Sequence, residues 1–313
     1  MWLPISQLVC GLCLLLWAAD RLMAGAVALA HRCHWSPLVI GMTVVGIGTS
    51  LPEVVMVLMA SLKGYRDAAV GSLLGSNIIN ILLILGIAGI LQPLAVPARL
   101  RQWDLIWLLG VTLLLGWPLA HDRLERFDGW ALSGIGLLFI VWSVWRHAKQ
   151  RSVSKPSSTA AATTSSTTPK ALLNATLGLG LLPLGAHWVV EPATQIAQVW
   201  GISELVIGIT LMSLGSSLPE VATVVVGLYQ RQPAVVLGNI IGSNLFNSLV
   251  VMVLPAWIAP GALDPHAFIR DYWVMLGATL LLVLFCWQQP SQQRMTAVLM
   301  LGSFAGYLWW LAY

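Results

Sequence analysis

A chain of 313 residues that is 58% hydrophobic and 9% charged, with a mean hydropathy of +0.83, is no soluble domain, in which charged residues run near about 25%. Its apolar runs of about 20 residues match helices that span hydrocarbon and not the short alternating segments of a barrel. The formal charge of +4 is dispersed over loops, so it excludes a nucleic-acid surface.

In chain order the apolar runs predict helices near 4–30, 37–61, 67–91, 103–120 and 128–146, then near 171–197, 204–229, 233–258, 271–288 and 295–312. The first run lacks a basic leader and a small-residue cleavage site, so it is expected to remain as a span. Residues 147–170 separate the two sets; from Lys149 to Lys170 they are rich in Ser, Thr and Ala with basic ends, and read as a flexible linker.

The two sets are copies. An offset of 167 pairs Ser36 with Ser203, Gly75-Ser76-Asn77 with Gly242-Ser243-Asn244, Asn80 with Asn247, Pro93 with Pro260, Asp104 with Asp271 and Trp142 with Trp309. The domains expected are therefore 1–146 and 171–313, each a five-helix unit. An odd number of spans per unit inverts the second relative to the first, the arrangement in which secondary transporters bind substrate near the membrane midplane. The predicted fold class is an all-α multi-pass membrane protein with ten transmembrane helices in two inverted-topology five-helix repeats. Loop charge orients it. Arg32, Arg99, Arg101, Arg146, Lys149, Arg151, Lys155, Lys170, Arg231 and Arg294 outnumber the cations of the opposite side, which places the linker in the cytoplasm and both termini outside.

The most informative stretch occurs once per copy: GMTVVGIGTSLPE at 41–53 and GITLMSLGSSLPE at 208–220. Each ends in a carboxylate, Glu53 or Glu220, within an apolar run, and ionisable groups at membrane depth mark ion or substrate routes. Pro52 and Pro219 lack an N–H, which frees the carbonyls of Gly48 and Gly215. Thr49 and Ser50, and Ser216 and Ser217, add hydroxyls within a turn of each glutamate. Carbonyls, hydroxyls and carboxylates together form an oxygen cage suited to a hard cation. The next helix of each copy adds Ser76 with Asn80, and Ser243 with Asn247, four residues apart and so on one face. Gly71, Gly75, Gly238 and Gly242 have the small-residue spacing that lets those helices approach closely. Asp104 and Asp271 open helices and read as caps, and Asp20 beside Arg21 reads as a local ion pair.

These motifs, with GSLLGSNIIN at 71–80 and GNIIGSNLFN at 238–247, resemble the paired alpha-repeats of the cation/calcium exchanger superfamily. Length and the five-plus-five organisation are most similar to bacterial inner-membrane calcium/sodium antiporters. The resemblance implies Glu53 and Glu220 as principal ligands, with Thr49, Ser50, Ser216, Ser217, Ser76, Ser243, Asn80 and Asn247 around them. It implies exchange of Ca2+ against Na+, or against H+, with the first helix of each copy sliding to alternate access. Inorganic cations and the lipid bilayer are then the partners, no cofactor is called for and no oligomer is required. Asn247 stands where many of these exchangers have aspartate, which leaves two carboxylates in the cage instead of three. A cation channel would also use such oxygens. The inverted duplication favours exchange, and no HExxH or paired nucleophile suggests an enzyme.

Overall fold

The computed structural model describes residues 2–33, 35–98, 100–150, 167–200 and 213–312. Over these the chain is built of helices: α1 (Trp2–Cys33), α2 (Pro37–Thr49 and Leu51–Leu62), α3 (Arg66–Leu91), α4 (Leu100–Ala120) and α5 (Arg126–Gln150). After the linker come α6 (Thr168–Val199), α7 (Ser213–Ser216 and Leu218–Tyr229), α8 (Pro233–Ile258), α9 (Ala267–Trp287) and α10 (Pro290–Ala312). Six of the described helices, α1, α3, α4, α6, α8 and α9, are long and apolar enough to cross a membrane, and α2 adds a seventh if its two halves, bent by 43°, are one span. The expected helix over 204–229 is described from Ser213 onward, its earlier residues lying outside the described set. Of the expected linker, α5 is described to Gln150 and α6 from Thr168, and 151–166 lie outside the described residues.

Burial ranks the helices. In the most apolar windows of α3 and α8, 78% and 89% of residues are buried, against 28–44% in α1, α4, α6 and α9. Helices apolar all round belong in a core, so α3 and α8 form the centre and the others present side chains such as Leu62, Trp117, Trp130, Leu137 and Trp273 outward. Those exposed apolar groups are what a lipid-facing surface requires.

A smaller apolar cluster joins α1 and α6, where Leu15, Ala18, Leu22 and Ala26 pack with Ala175, Leu182 and Ala186. The helices run antiparallel. Gly11 abuts Trp188, Leu15 abuts Gly185, Leu22 abuts Gly178 and Gly25 abuts Ala175, with residue numbers falling on one helix as they rise on the other. A Cβ on Gly178 would lie 2.6 Å from the Leu22 nitrogen, so the glycines set how closely the backbones approach.

Backbone irregularities follow the 167-residue offset. Wide π turns occupy Leu100–Asp104 and Ala267–Tyr272, and again Ile79–Leu85 and Asn247–Val251. Thr112 and Thr279, related by the same offset, face each other with their hydroxyls 3.5 Å apart. The π turns overturn one expectation. Asp104 and Asp271 do not cap α4 and α9, because each helix begins a turn earlier; Asp104 makes no side-chain cap bond, and Asp271 instead accepts from Arg270 at 2.8 Å and from Tyr307 at 3.0 Å. Asp20 does pair with Arg21, at 2.9 Å, and also accepts from Gln230, the residue that follows α7, at 2.8 Å.

Candidate cation site

The helix breaks in α2 and α7 come from the same local sequence. Pro52 and Pro219 are compatible with the first turn of a helix but not with its interior, and each chain turns at the serine two residues before. Ser50 has φ −84°, ψ 7° and Ser217 has φ −89°, ψ 4°, near-identical values in the bridge region. Each break places a glutamate in the first turn of a new helix, whose free N–H groups and positive dipole end favour a carboxylate.

Both carboxylates face inward, Glu53 and Glu220 each being 1% exposed. The bonds that hold them come from both copies. Ser50 donates to Glu220 Oε1 at 3.1 Å, and Ser216 reaches Glu53. Ser76 of α3 donates to Glu53 Oε1 at 3.3 Å, and Thr49 and Ser243 stand beside Glu220. Asn247 donates through Nδ2 to Ser76 at 3.4 Å and to Asn77 at 3.3 Å. Eight of the ten residues expected from the sequence thus fall in a network of two bonded clusters, one around each glutamate. Asn80 and Ser217 are fully buried beside it but bond to none of the others.

The carbonyl of Gly46 bonds across to α8. Gly46, half a turn before Gly48, receives both the Ser50 N–H at 3.3 Å and the Ser243 hydroxyl at 3.1 Å. The glycine seam is described on one side. Gly238 and Gly242 of α8 meet the backbone of α2 at Leu38 and Met42, whereas Gly71 of α3 has no described atom within 4 Å of an added Cβ. Gly208, the counterpart of Gly41 in that seam, lies outside the described residues.

What remains unpaired defines the chemistry. Glu53 Oε2, Glu220 Oε2, Ser217 Oγ, Asn80 Oδ1 and Asn247 Oδ1 are buried with no hydrogen-bond partner, as is the Asn80 amide nitrogen. Buried polar atoms are seldom left so, since each costs about 1–3 kcal/mol. Five oxygens, two of them anionic, fit a hard cation; no sulfur or imidazole is among them, and among the described residues no cluster of three or more His, Cys, Asp or Glu exists.

Comparison with known proteins adds the lineage. The sequence profile of the family described as "Sodium/calcium exchanger protein" matches residues 3–145 and 170–313. The chain belongs to this exchanger family. Inner membrane protein YrbG of Escherichia coli (strain K12) is 40% identical, the match covering 100% of this exchanger and 97% of that protein. Putative antiporter CaxA of Alkalimonas amylolytica is 38% identical over 95% of each. Among solved structures, the sodium-calcium exchanger NCX_Mj soaked with Na+ and Sr2+ superposes with a TM-score of 0.84 at 28% identity, covering 98% of both chains.

The exchanger's network contains polar residues that the sequence reading did not assign. Asn239 accepts from Thr49 at 3.1 Å and donates to Thr223 at 2.9 Å, and Asn77 donates to Ser248 at 3.0 Å. A signal for Asn239 was present: Asn239, Ser243 and Asn247 recur every fourth residue, one stripe of α8. Thr223 and Ser248 carry none, because their offset partners are Met56 and Ile81.

Proposed function

We propose that this protein is a secondary antiporter that exchanges Ca2+ against Na+ across a bacterial inner membrane, through ten spans arranged as two inverted five-helix repeats, 1–146 and 171–313, with H+ as the alternative counter-ion. The linker 147–170 is cytoplasmic and both termini lie outside. The observation that carries this reading is the set of buried, partnerless oxygens contributed by both copies and headed by Glu53 and Glu220. The relatives' membrane and antiporter names and the exchanger fold support it. Glu53 and Glu220 hold the ion, and Thr49, Ser50, Ser76, Asn80, Ser216, Ser217, Ser243 and Asn247 complete its surroundings. Exchange follows when Ca2+ and Na+ compete for the same carboxylates while the cage opens alternately to each side; no cofactor takes part.

Mechanistically, the chain's own groups divide the work. The glutamates supply charge, which a buried cation needs because an uncompensated charge in a low-dielectric site is costly. The hydroxyls and amides replace water around the ion without adding charge. The antiparallel pair α1–α6 heads a second apolar cluster that also takes in Ile40, Val45, Ala222, Val226 and Val235, and alternate access follows if this pair slides across the rest. Reconstituted vesicles test the reading: a Na+ gradient should drive Ca2+ uphill, whereas flux that only runs downhill would assign a channel.

Asn247 sets the charge count. Ser76 gives its one proton to Glu53, so what approaches it from Asn247 must be the amide nitrogen, which leaves Asn247 Oδ1 as a buried neutral oxygen without a hydrogen-bond partner. With two carboxylates, one Ca2+, two Na+ or two H+ each neutralise the site. Ca2+ flux in the natural protein is therefore expected to be nearly insensitive to membrane potential, and Asn247→Asp, which adds a third negative charge, to make it potential-dependent. A robust current with three Na+ per Ca2+ in the natural protein would refute this.

A further inference from the structure

Helices α4 and α9, one from each copy, lie side by side and antiparallel, with Thr112 facing Thr279 and Gly116 lying against the Tyr272 hydroxyl. The 167-residue offset relates the two ends of this contact, yet they are finished differently. Where α9 begins, aromatic rings take up the space and the cation is neutralised: Phe268 and Tyr272 stack 5.4 Å apart, and Arg270 is held by Asp271 at 2.8 Å. Where α4 begins, the position of Phe268 is taken by Arg101, and between the helices lies a groove of about 530 Å3. Arg101, Trp103 and Trp287 line it at the helix ends, and Ile106, Leu109 and Val283 line it further along.

Three properties of the groove fit one occupant. Arg101 is half-buried inside the apolar stretch Leu100–Ala120, and it enters none of the ion pairs among the described residues, Asp104 included. An unpaired guanidinium at the end of a span presents a planar fork that matches phosphate oxygens. Beyond it the lining is apolar as far as Leu109, eight residues on. At about 1.5 Å per residue that is about 12 Å, close to half of a hydrocarbon core about 30 Å thick. Trp103 and Trp287, 38% and 62% exposed, set rings at the level where headgroups meet hydrocarbon.

We propose that this groove seats one anionic phospholipid from the leaflet on the linker's side, its phosphate on Arg101 and one acyl chain laid between α4 and α9. The lipid fills at this end the space that Phe268 and Tyr272 fill at the other, and so ties the two copies together. The inference depends on the helices crossing a bilayer and not on which cation they carry.

The test is native mass spectrometry of the full chain released from nanodiscs holding equal amounts of phosphatidylglycerol and phosphatidylcholine, with unfolding midpoints measured alongside. The natural chain should retain one phosphatidylglycerol in preference to phosphatidylcholine by about tenfold, the worth of one charge-assisted contact, and phosphatidylglycerol should raise its midpoint. Arg101→Gln should lose the preference, while Arg231→Gln, which deletes an exposed cation on the same side, should keep it. Leu109→Trp fills the groove without changing charge and should shed the bound lipid. Ile106→Trp repeats that filling at a position 61% exposed, where folding is not at stake. A preference that survives Arg101→Gln, or lipid that stays bound in both tryptophan variants, would overturn the proposal. Equal loss in Arg231→Gln would overturn it as well, by reducing the attraction to general surface charge. So would soluble glycerol phosphate binding as tightly as the lipid, or a dimer that the tryptophan variants dissolve, which would give the groove to a free phosphate ester or to a second copy of the chain. Absence of Ca2+ exchange would refute the antiporter reading and leave these lipid measurements unaffected.

Discussion

Glu220→Gln and Glu53→Gln should each abolish Ca2+ transport while leaving the folded protein intact. Glutamine keeps the shape of the side chain and can still accept from Ser50 or Ser76, whose hydroxyls lie 3.1 and 3.3 Å from the respective carboxylates. What it removes is one of two negative charges. A bound Ca2+ would then leave a net positive charge in a site whose glutamates are 1% exposed. Leaving a buried charge without its partner costs about 3–5 kcal/mol, so affinity should fall by about 100- to 4000-fold at about 1.4 kcal/mol per decade. The two substitutions should be similar in size, since the acids occupy equivalent positions. Without cations the variants should unfold no earlier than the natural protein, because two facing carboxylates repel. The decisive readout is Ca2+-dependent thermal stabilisation: a ligand at about 100 times its dissociation constant adds about 2.7 kcal/mol, and that increment should vanish. If Ca2+ raises the unfolding midpoint of Glu220→Gln as it does that of the natural chain, the ion does not sit at these carboxylates.

The sequence and the structure agree most closely where chemistry and backbone are coupled in one short stretch. Pro52 and Pro219 must end a helix, and Glu53 and Glu220 must find compensation, so the breaks and the acids were readable from local rules alone. The offset of 167 carried the pairing of α3 with α8 around them for the same reason: a duplicated motif constrains both copies. The cross-copy bonds from Ser50 to Glu220 and from Thr49 to Asn239 were not legible, since sequence spacing orders groups along one helix and says nothing of which neighbour a hydroxyl selects. Asp104 and Asp271 failed for a related reason. A cap is inferred from the first apolar residue after an acid, but the π turns at Leu100–Asp104 and Ala267–Tyr272 start each helix earlier, and no local propensity signals a wide turn. The asymmetric residues Thr223 and Ser248 were hidden because a repeat-based search looks for what the copies share.

Gly242→Val should disable the protein through geometry instead of charge. A Cβ at Gly242 would stand 2.3 Å from the Met42 carbonyl oxygen and 2.5 Å from its Cα, and these are backbone atoms of a packed helix that no rotamer change can move. At Gly238, one turn earlier, the same atom would meet Leu38 O at 2.3 Å, so α8 lies on α2 along a seam with no room for a methyl group. Relieving the clash requires the helices to part by about 1 Å, at about 1–3 kcal/mol for overpacking alone. Stability is the smaller loss. The same seam brings Ser243 to the Gly46 carbonyl at 3.1 Å and Asn239 to Thr49 at 3.1 Å, so parting it undoes the bonds that hold the two halves of the cage in register. Misplacement of about 1 Å in a preorganised site is worth about a hundredfold in rate, and Ca2+ flux per folded molecule should fall at least that far. Gly110→Ala, at an exposed helical position where an added Cβ meets nothing within 4 Å, is the matched control and should transport normally. A Gly242→Val protein that still moves Ca2+ at the natural rate would mean that α2 and α8 need not touch for the cage to form, and the close approach of the two copies would then have no part in holding the ion.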